Sequence, residues 1–388
     1  MDYLIERNFT NSKDDEYASY TDIQYLLRLV SGNSDEVELG KSIKETTDWI
    51  NKKKGCNIKG SKELIDLYNS IDNEKMDLIL PLSEIEYNGF YNNNEIILEL
   101  DGYRATGMYN FTGSFLESLF HMKRFGNFCF DHGERDLLDE NIQKLMTTQK
   151  DEVRLFRFLM DGDNLFLRGL ATLIYKRYDN NIAIYLALNS LNRYAEENGV
   201  HIFVEKASIT DSCLDITFVQ EEKFSIDKDT LVEVGVRLTN NEISVGKLSM
   251  QFVYTIYDSR NNQFRAIGDT VVGIIHTYQI QTIDEKIRNF RNLSKYTNET
   301  IQCIVDIKNK NKLDRDQLSL IFHRLSRTKD NKLSKKSRNT IDALYREEVV
   351  GNTFSMIELF DKIDSLITTI DEKLFLQIVF NEMITTTL

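Results

Sequence analysis

Proline is almost absent: Pro81 is the only one in 388 residues. Turns must therefore be built from Gly, Asn and Asp, which tolerate left-handed backbone angles. Cysteine is sparse and scattered. Cys56, Cys129, Cys213 and Cys303 form no CxxC pair, which argues against a thiolate zinc site and a disulfide framework and fits the reduced thiols of a cytoplasm. Of the five histidines, His121 and His132 lie closest, at a spacing that suits neither ligation from one helix face nor an H-E-x-x-H site. No run of about 18 apolar residues occurs, so no transmembrane helix is expected. The start, MDYLIERNFTNSKDDEY, is acidic and has no apolar stretch, so no signal peptide is expected. There is no G-x-x-x-x-G-K-[ST], no G-x-G-x-x-G after a strand and no G-x-S-x-G, which argues against a P-loop ATPase, a dinucleotide fold and a hydrolase elbow. A hydrolytic site assembled from scattered residues stays open.

What is present is charge of uneven distribution. The net charge is −13, yet Asp284–Val350 holds 16 Lys+Arg against 10 Asp+Glu, a balance of +6 that leaves −19 for the remainder. An acidic body with a basic segment is an asymmetry that bears on partners. Hydrophobic spacing predicts helices at Tyr20–Leu29 (capped by Thr21 or Asp22), Val37–Lys53 with Trp49, and Ser61–Met76. Asp77–Gly107 reads as two strands around an Asn-rich turn at Asn92–Asn94. Helices follow at Ser114–Lys123 and Glu134–Met146. A hairpin comes next: Val153–Met160, a turn at Asp161–Asn164, and a returning strand LFLRGLAT. A helix at Asn181–Asn198 precedes strands at His201–Ile209, Leu214–Gln220, Leu231–Leu238, Leu248–Tyr257 and Phe264–Ile275. Helices are then predicted at Asp284–Ile307, Asp314–Leu325, Lys336–Glu347, Ser355–Ile367 and Asp371–Met383, with the basic stretch Arg324–Arg338 as a loop. The expected fold class is α+β: a central antiparallel sheet, a helical N-terminal portion and a separate all-helical C-terminal domain. The corresponding divisions are residues 1–76, 77–280 and 281–388.

Two segments carry the most information. In Arg168–Asn181, Arg168 and Arg177 bracket Tyr175, Tyr178 follows, and Asp179–Asn180 offer caps for the next helix. In Gly235–Gly246, Arg237 precedes Asn240, Asn241 and Glu242. Together they resemble a phage- and plasmid-encoded family of unsettled activity. Its pattern is an arginine, a small residue and a tyrosine-containing turn ending in Asp-Asn, matched by Arg168, Gly169, Tyr175 and Asp179–Asn180, and later an Asn-Ser-Glu followed by glycine, matched by Asn240–Glu242 and Gly246. The chain departs from it at Thr172–Leu173, where the family has Ser-Asp, at Asn241 in place of Ser, and at Asp258–Asn262, where a Cys is missing. The likeness covers Ile97–Tyr278 and implies an origin on a phage, prophage or plasmid.

Arginines beside aromatics are what single-stranded nucleic-acid binders use, and Lys/Arg density alone suffices for backbone phosphates. The functional expectation is a non-enzymatic, nucleic-acid-associated protein of single-strand binding or annealing type, in the cytoplasm of a bacterial host. The candidate contacts are Arg168, Tyr175, Arg177, Tyr178, Arg237, Asn241, Lys335, Lys336 and Arg338. No cofactor is expected. The partners are single-stranded DNA or a host protein, not a membrane, and self-association is open. Two alternatives stand beside it: an acidic factor that binds a host protein, and a metal-dependent hydrolase using Glu242 with Asp161 and Asp163.

Overall fold

The computed structural model describes residues 4–9, 16–27, 41–45, 47–71, 74–162, 164–243, 246–309, 312–349 and 355–385. The chain opens with β1 (Ile5–Asn8), α1 (Tyr20–Tyr25), β2 (Ile58–Lys59) and α2 (Ser61–Ile71). Ser19, not Thr21 or Asp22, caps α1, and Asp22 closes the box by accepting the Ser19 amide. Residues 41–45 are helical, Trp49 lies outside the helix, and the rest of the expected Val37–Lys53 helix falls partly outside the described residues. The helix expected to reach Met76 ends at Ile71, because Lys75 begins a strand.

The next stretch builds a sheet of its own. It comprises β3 (Lys75–Pro81), β4 (Ile85–Phe90), β5 (Ile96–Leu100), β6 (Tyr103–Gly107), α3 (Phe111–Phe120), α4 (Lys123–His132), α5 (Arg135–Thr148), β7 (Val153–Asp161) and β8 (Asn164–Ala171). The strand order is β3-β7-β8-β6-β5-β4, antiparallel except for β6 beside β8. Four strands thus stand where two were expected between Asp77 and Gly107. On α5, Leu138, Ile142 and Met146 recur every four residues and face the sheet with Phe111, Phe115 and Leu116. They meet Phe156, Phe158 and Leu167, which alternate on one side of β7 and β8.

A second sheet follows α6 (Asn180–Asn198). Its later strands are β9 (Ile202–Ile209), β10 (Cys213–Gln220), β11 (Phe224–Asp227), β12 (Thr230–Asn241), β13 (Lys247–Asp258) and β14 (Gln263–Ile275). The order is β1-β9-β10-β12-β13-β14, with β11 on β12 and β2 on β9. The fold is α+β, but with two sheets in place of a single central one. Every residue of α6 from Ile182 to Leu191 is buried, as expected of a helix enclosed on all sides. Val232, Val234, Val236 and Leu238 of β12 and Leu248, Met250, Phe252, Tyr254 and Ile256 of β13 alternate into the same core. The intervening positions of β12 carry ion pairs instead: Arg237 with Asp215 of β10, and Glu233 with Arg265 of β14.

The remaining helices are α7 (Ile280–Arg288), α8 (Leu293–Asn309), α9 (Arg315–Ser326), α10 (Lys335–Leu344), α11 (Met356–Leu366) and α12 (Ile370–Thr385). Asp314 and Ser355 close capping boxes on α9 and α11. The helices join the core of the second sheet: Phe264 of β14 meets Phe360 of α11 and Phe380 of α12 at ring distances of 5.4 and 4.7 Å, and Tyr254 donates to Asn381. Packing therefore groups the described chain around two cores. One joins residues 9–71 to 178–384, and the other lies within 76–170. No helix among the described residues is long and apolar enough to cross a membrane.

One acid in the helical segment is strongly perturbed. Glu372 accepts from the Ser334 amide (2.6 Å), the Ser337 hydroxyl (2.7 Å) and the Thr369 hydroxyl (2.7 Å). Burial raises its pKa, but these donors outweigh burial and hold it at about 2. A folded pKa below the unfolded one stabilises above the ordinary carboxylate range and is lost as pH falls to about 2. Relative to its ordinary value this corresponds to about 3 kcal/mol. In urea melts between about pH 5 and pH 2, wild type should therefore lose about that much more stability than Glu372→Gln. Parallel losses in both would remove Glu372 from the account.

Candidate functional site

The two segments singled out in the sequence meet at the junction of the two sheets. Register explains how. Arg157 pairs with Gly169 and Phe158 with Leu167, so Arg168 is the extra residue of a β-bulge, which re-aims its side chain. Gly169 has no side chain, and Ile243 sits 3.5 Å from where its Cβ would be. The segment after β12 thus packs onto β8 at Gly169, at a distance that is ordinary van der Waals contact. Beyond β8 the chain turns at Thr172–Tyr175, the Lys176 amide donates to His276 O, and α6 begins with Asp179 at its cap.

Glu242, fully buried, receives Lys75 Nζ at 3.1 Å, Arg168 Nη1 at 2.5 Å and the Asn180 amide at 2.8 Å. The last contact places a carboxylate at the N-terminal end of α6, where the helix dipole favours it. Arg157 forks onto Asp179 (3.0 and 2.5 Å), reaches Asp77 through Nε (3.2 Å) and donates to Glu242 O (2.7 Å). Arg177 Nε lies 2.9 Å from Asp77. Tyr175 donates to Glu242 O, and its ring stacks on His276 at 4.7 Å. Asn240 Nδ2 donates to Asn180 Oδ1 and Tyr178 O. A second tie between the sheets runs from Tyr109 to Asp211 (2.6 Å).

The electrostatics follow from this enclosure. Burial opposes the charge on Asp179, but Arg157 and then Arg168 outweigh it and hold the carboxyl well below its usual range. Burial opposes the charge on Arg157 too, and Asp179 and Asp77 overcome it. Burial pushes the Tyr175 phenol up and the His276 imidazole down, so both are neutral near pH 7. The buried charges of the cluster are thus met by opposite ones, Arg157 with Asp179 and Arg168 with Glu242.

The structure places the candidates differently from what a binding surface needs. Arg168 and Tyr178 are 1% and 0% exposed. The first is spent on Glu242, and the second donates to Tyr278 O, so neither reaches a polynucleotide, and that expectation is corrected. Tyr175 and Arg177 belong to the same cluster. Arg237 forks onto Asp215 (2.8 and 2.5 Å). Asn241 receives the Ile243 amide and donates to Cys213 Sγ. The metal reading loses its central ligand, because Glu242 is enclosed by two cations and an amide. Asp163 lies outside the described residues, and among those described no group of three His, Cys, Asp or Glu side chains could hold a metal ion. Sequence reasoning missed Lys75 and Asp77. Arg157 was visible, with Arg154, as an arginine among the apolar residues of Val153–Met160, but its buried partners were not.

The basic stretch Arg324–Arg338 is only partly the loop expected of it. It closes α9, turns, and opens α10 with Lys335 and Lys336 in the first turn. Leu333 is fully buried and anchors the turn. Ser334 caps α10 by accepting the Ser337 amide, and Arg338 donates back to Thr328 O and Asp330. Arg338 is therefore a brace. Arg327, Lys329, Lys332, Lys335 and Lys336 are exposed and make no ion pair among the described residues. The segment holds seven Lys/Arg against one Asp.

Compared with known proteins, the chain matches no protein-family model, no curated protein and no solved structure.

Proposed function

We propose that this protein binds nucleic acid through backbone phosphates, using the turn and helix start from Arg327 to Lys336. One observation carries the reading: five exposed cations, with no ion pair among the described residues, stand on a pinned turn of a chain whose net charge is −13. Lysine and arginine density of this kind is what phosphate contact requires. The acidic remainder repels a polyanion elsewhere, so the field itself orients the approach. The reading is non-enzymatic. The resemblance noted above supports setting it in phage or plasmid DNA metabolism, in a bacterial cytoplasm. The helical segment of residues 280–385, whose core is joined to the second sheet, would serve as the DNA-facing part.

The test is a fluorescence-anisotropy titration of a labelled oligonucleotide over a range of salt. Each phosphate contact contributes roughly 0.7–0.9 to the slope of log K against log salt. Lys335→Ala with Lys336→Ala should weaken binding and lower that slope by roughly 1.4–1.8. No binding at low salt, or an unchanged slope in the double variant, overturns the proposal.

A further inference from the structure

We infer that α10 is a reading helix for duplex DNA: its free face lies in the major groove, and Asn339 contacts the edge of an adenine there. This rests on the phosphate-binding reading and extends it to a strand preference and a base contact. One side of α10 is fully engaged. Ile341 and Leu344 are buried, Glu372 of α12 accepts from Ser334 and Ser337, Ser326 at the end of α9 donates to Asp342, and Arg338 donates back to Thr328 O and Asp330. These ties reach α9, the turn and α12, so the protein itself sets the orientation of the helix. The other side is open. Lys335, Lys336, Asn339 and Arg346 are exposed, and Ala343 is half-buried. At about 100° of rotation per residue, Arg346, Asn339 and Ala343 fall at about 20°, 40° and 80° from Lys335, and Lys336 at about 100°. The five share one stripe, with the lysines at its two edges.

That stripe has the composition of a groove-facing surface. Its lysines stand where the phosphate rims of a groove run, and the short amide and the methyl between them let the helix backbone come close to the bases. An asparagine so placed bonds adenine N6 and N7 in a bidentate pair, and an alanine methyl suits the thymine methyl. A helix with its side chains is about 10–12 Å across, and the major groove of B-DNA is about 12 Å wide. Arg327, Lys329 and Lys332 of the preceding turn are exposed beside the start of the same helix, placed for neighbouring phosphates. The acids lie at the other end: Glu347 is exposed just beyond the stripe, and Glu348 pairs with Lys362. The N-terminal half of α10 is therefore the part nearest the DNA, as in helix-turn-helix readers. A single strand fits less well, because such strands are gripped by aromatic stacking. The one aromatic of residues 327–346, Tyr345, packs on Phe322 with ring centres 4.6 Å apart. Duplex RNA has a deep, narrow major groove that side chains do not read.

Anisotropy titrations with labelled duplex DNA, competed by the matching single strand and by duplex RNA, test the strand preference. Both competitors should displace the duplex only at several-fold higher concentration than unlabelled duplex DNA does. Selection from a pool of random DNA duplexes, read by sequencing, tests the base contact. Wild type should enrich a short motif with a fixed adenine. Asn339→Ala should relax the preference at that base by roughly five- to a hundred-fold, while its urea midpoint and the salt slope of its binding to unselected duplex stay those of wild type. Equal affinity for single strand and duplex, a pool without enrichment, or a motif unchanged in Asn339→Ala overturns the groove contact. If Lys335→Ala/Lys336→Ala still weakens binding in those cases, the phosphate contact survives. Absence of any anisotropy change removes both.

Discussion

Arg157→Ala is expected to lower folding stability by about 3–5 kcal/mol, the cost of breaking a buried ion pair by removing one partner. Arg157 is 2% exposed and satisfies Asp77, Asp179 and the Glu242 carbonyl at once. Without it two carboxylates remain inside the protein with their largest counter-charge gone, and desolvation that was offset becomes a net penalty. The control is Arg237→Ala. Arg237 also forks onto an acid, but Asp215 is 35% exposed and the pair is partly in water, where such contacts are worth about 0–1 kcal/mol. Urea midpoints of the two variants should therefore separate clearly. Equal and small losses would mean that the junction cluster does not hold the sheets together.

Phe360→Ala should cost a similar amount, about 3–5 kcal/mol, for a large aromatic removed from a closed core. Phe360 is fully buried and sits 5.4 Å from Phe264 and 5.0 Å from Phe380, so edge-to-face contacts are lost along with area. The informative part is where the loss is felt. Phe264 belongs to β14 and Phe360 to α11, and their core runs on through α6 toward the loop that carries Trp49. Helix loss by circular dichroism and Trp49 emission should then shift together to lower denaturant. Helices that melt early while Trp49 keeps its wild-type midpoint would make residues 281–388 an independent folding unit.

Much of the fold was legible. Helices α9 and α11 announce themselves through caps at Asp314 and Ser355 and through apolar residues three or four apart. The β7–β8 and β13–β14 hairpins follow from DGDN and SRNN. The short strands β1, β2 and β11 were not legible, because two to four residues carry no period and their pairing depends on distant partners. Alternation reveals a strand but not its sheet, so two sheets were read as one.

The site shows the same division. Arg168, Tyr175, Asp179, Asn180, Asn240 and Glu242 stand out as residue types in the sequence, and they converge. Their direction does not stand out. A charged residue in an alternating strand reads as solvent-facing, and only its partner reverses that: Asp77 lies 80 positions from Arg157, and Glu242 lies 74 from Arg168. The exposure of Lys335 and Lys336 beside a helix cap is a local property that needs no distant partner.

The central claim is that the outward cations of residues 327–336, and not the arginines of the sheets, meet nucleic acid. The most direct measurement is amine-acylation footprinting of lysines, read by mass spectrometry with and without saturating oligonucleotide. Lys329, Lys332, Lys335 and Lys336 should lose reactivity in the complex, while exposed lysines of the acidic body, such as Lys150 and Lys228, keep theirs. A complex in which those four react as in the free protein would contradict the account.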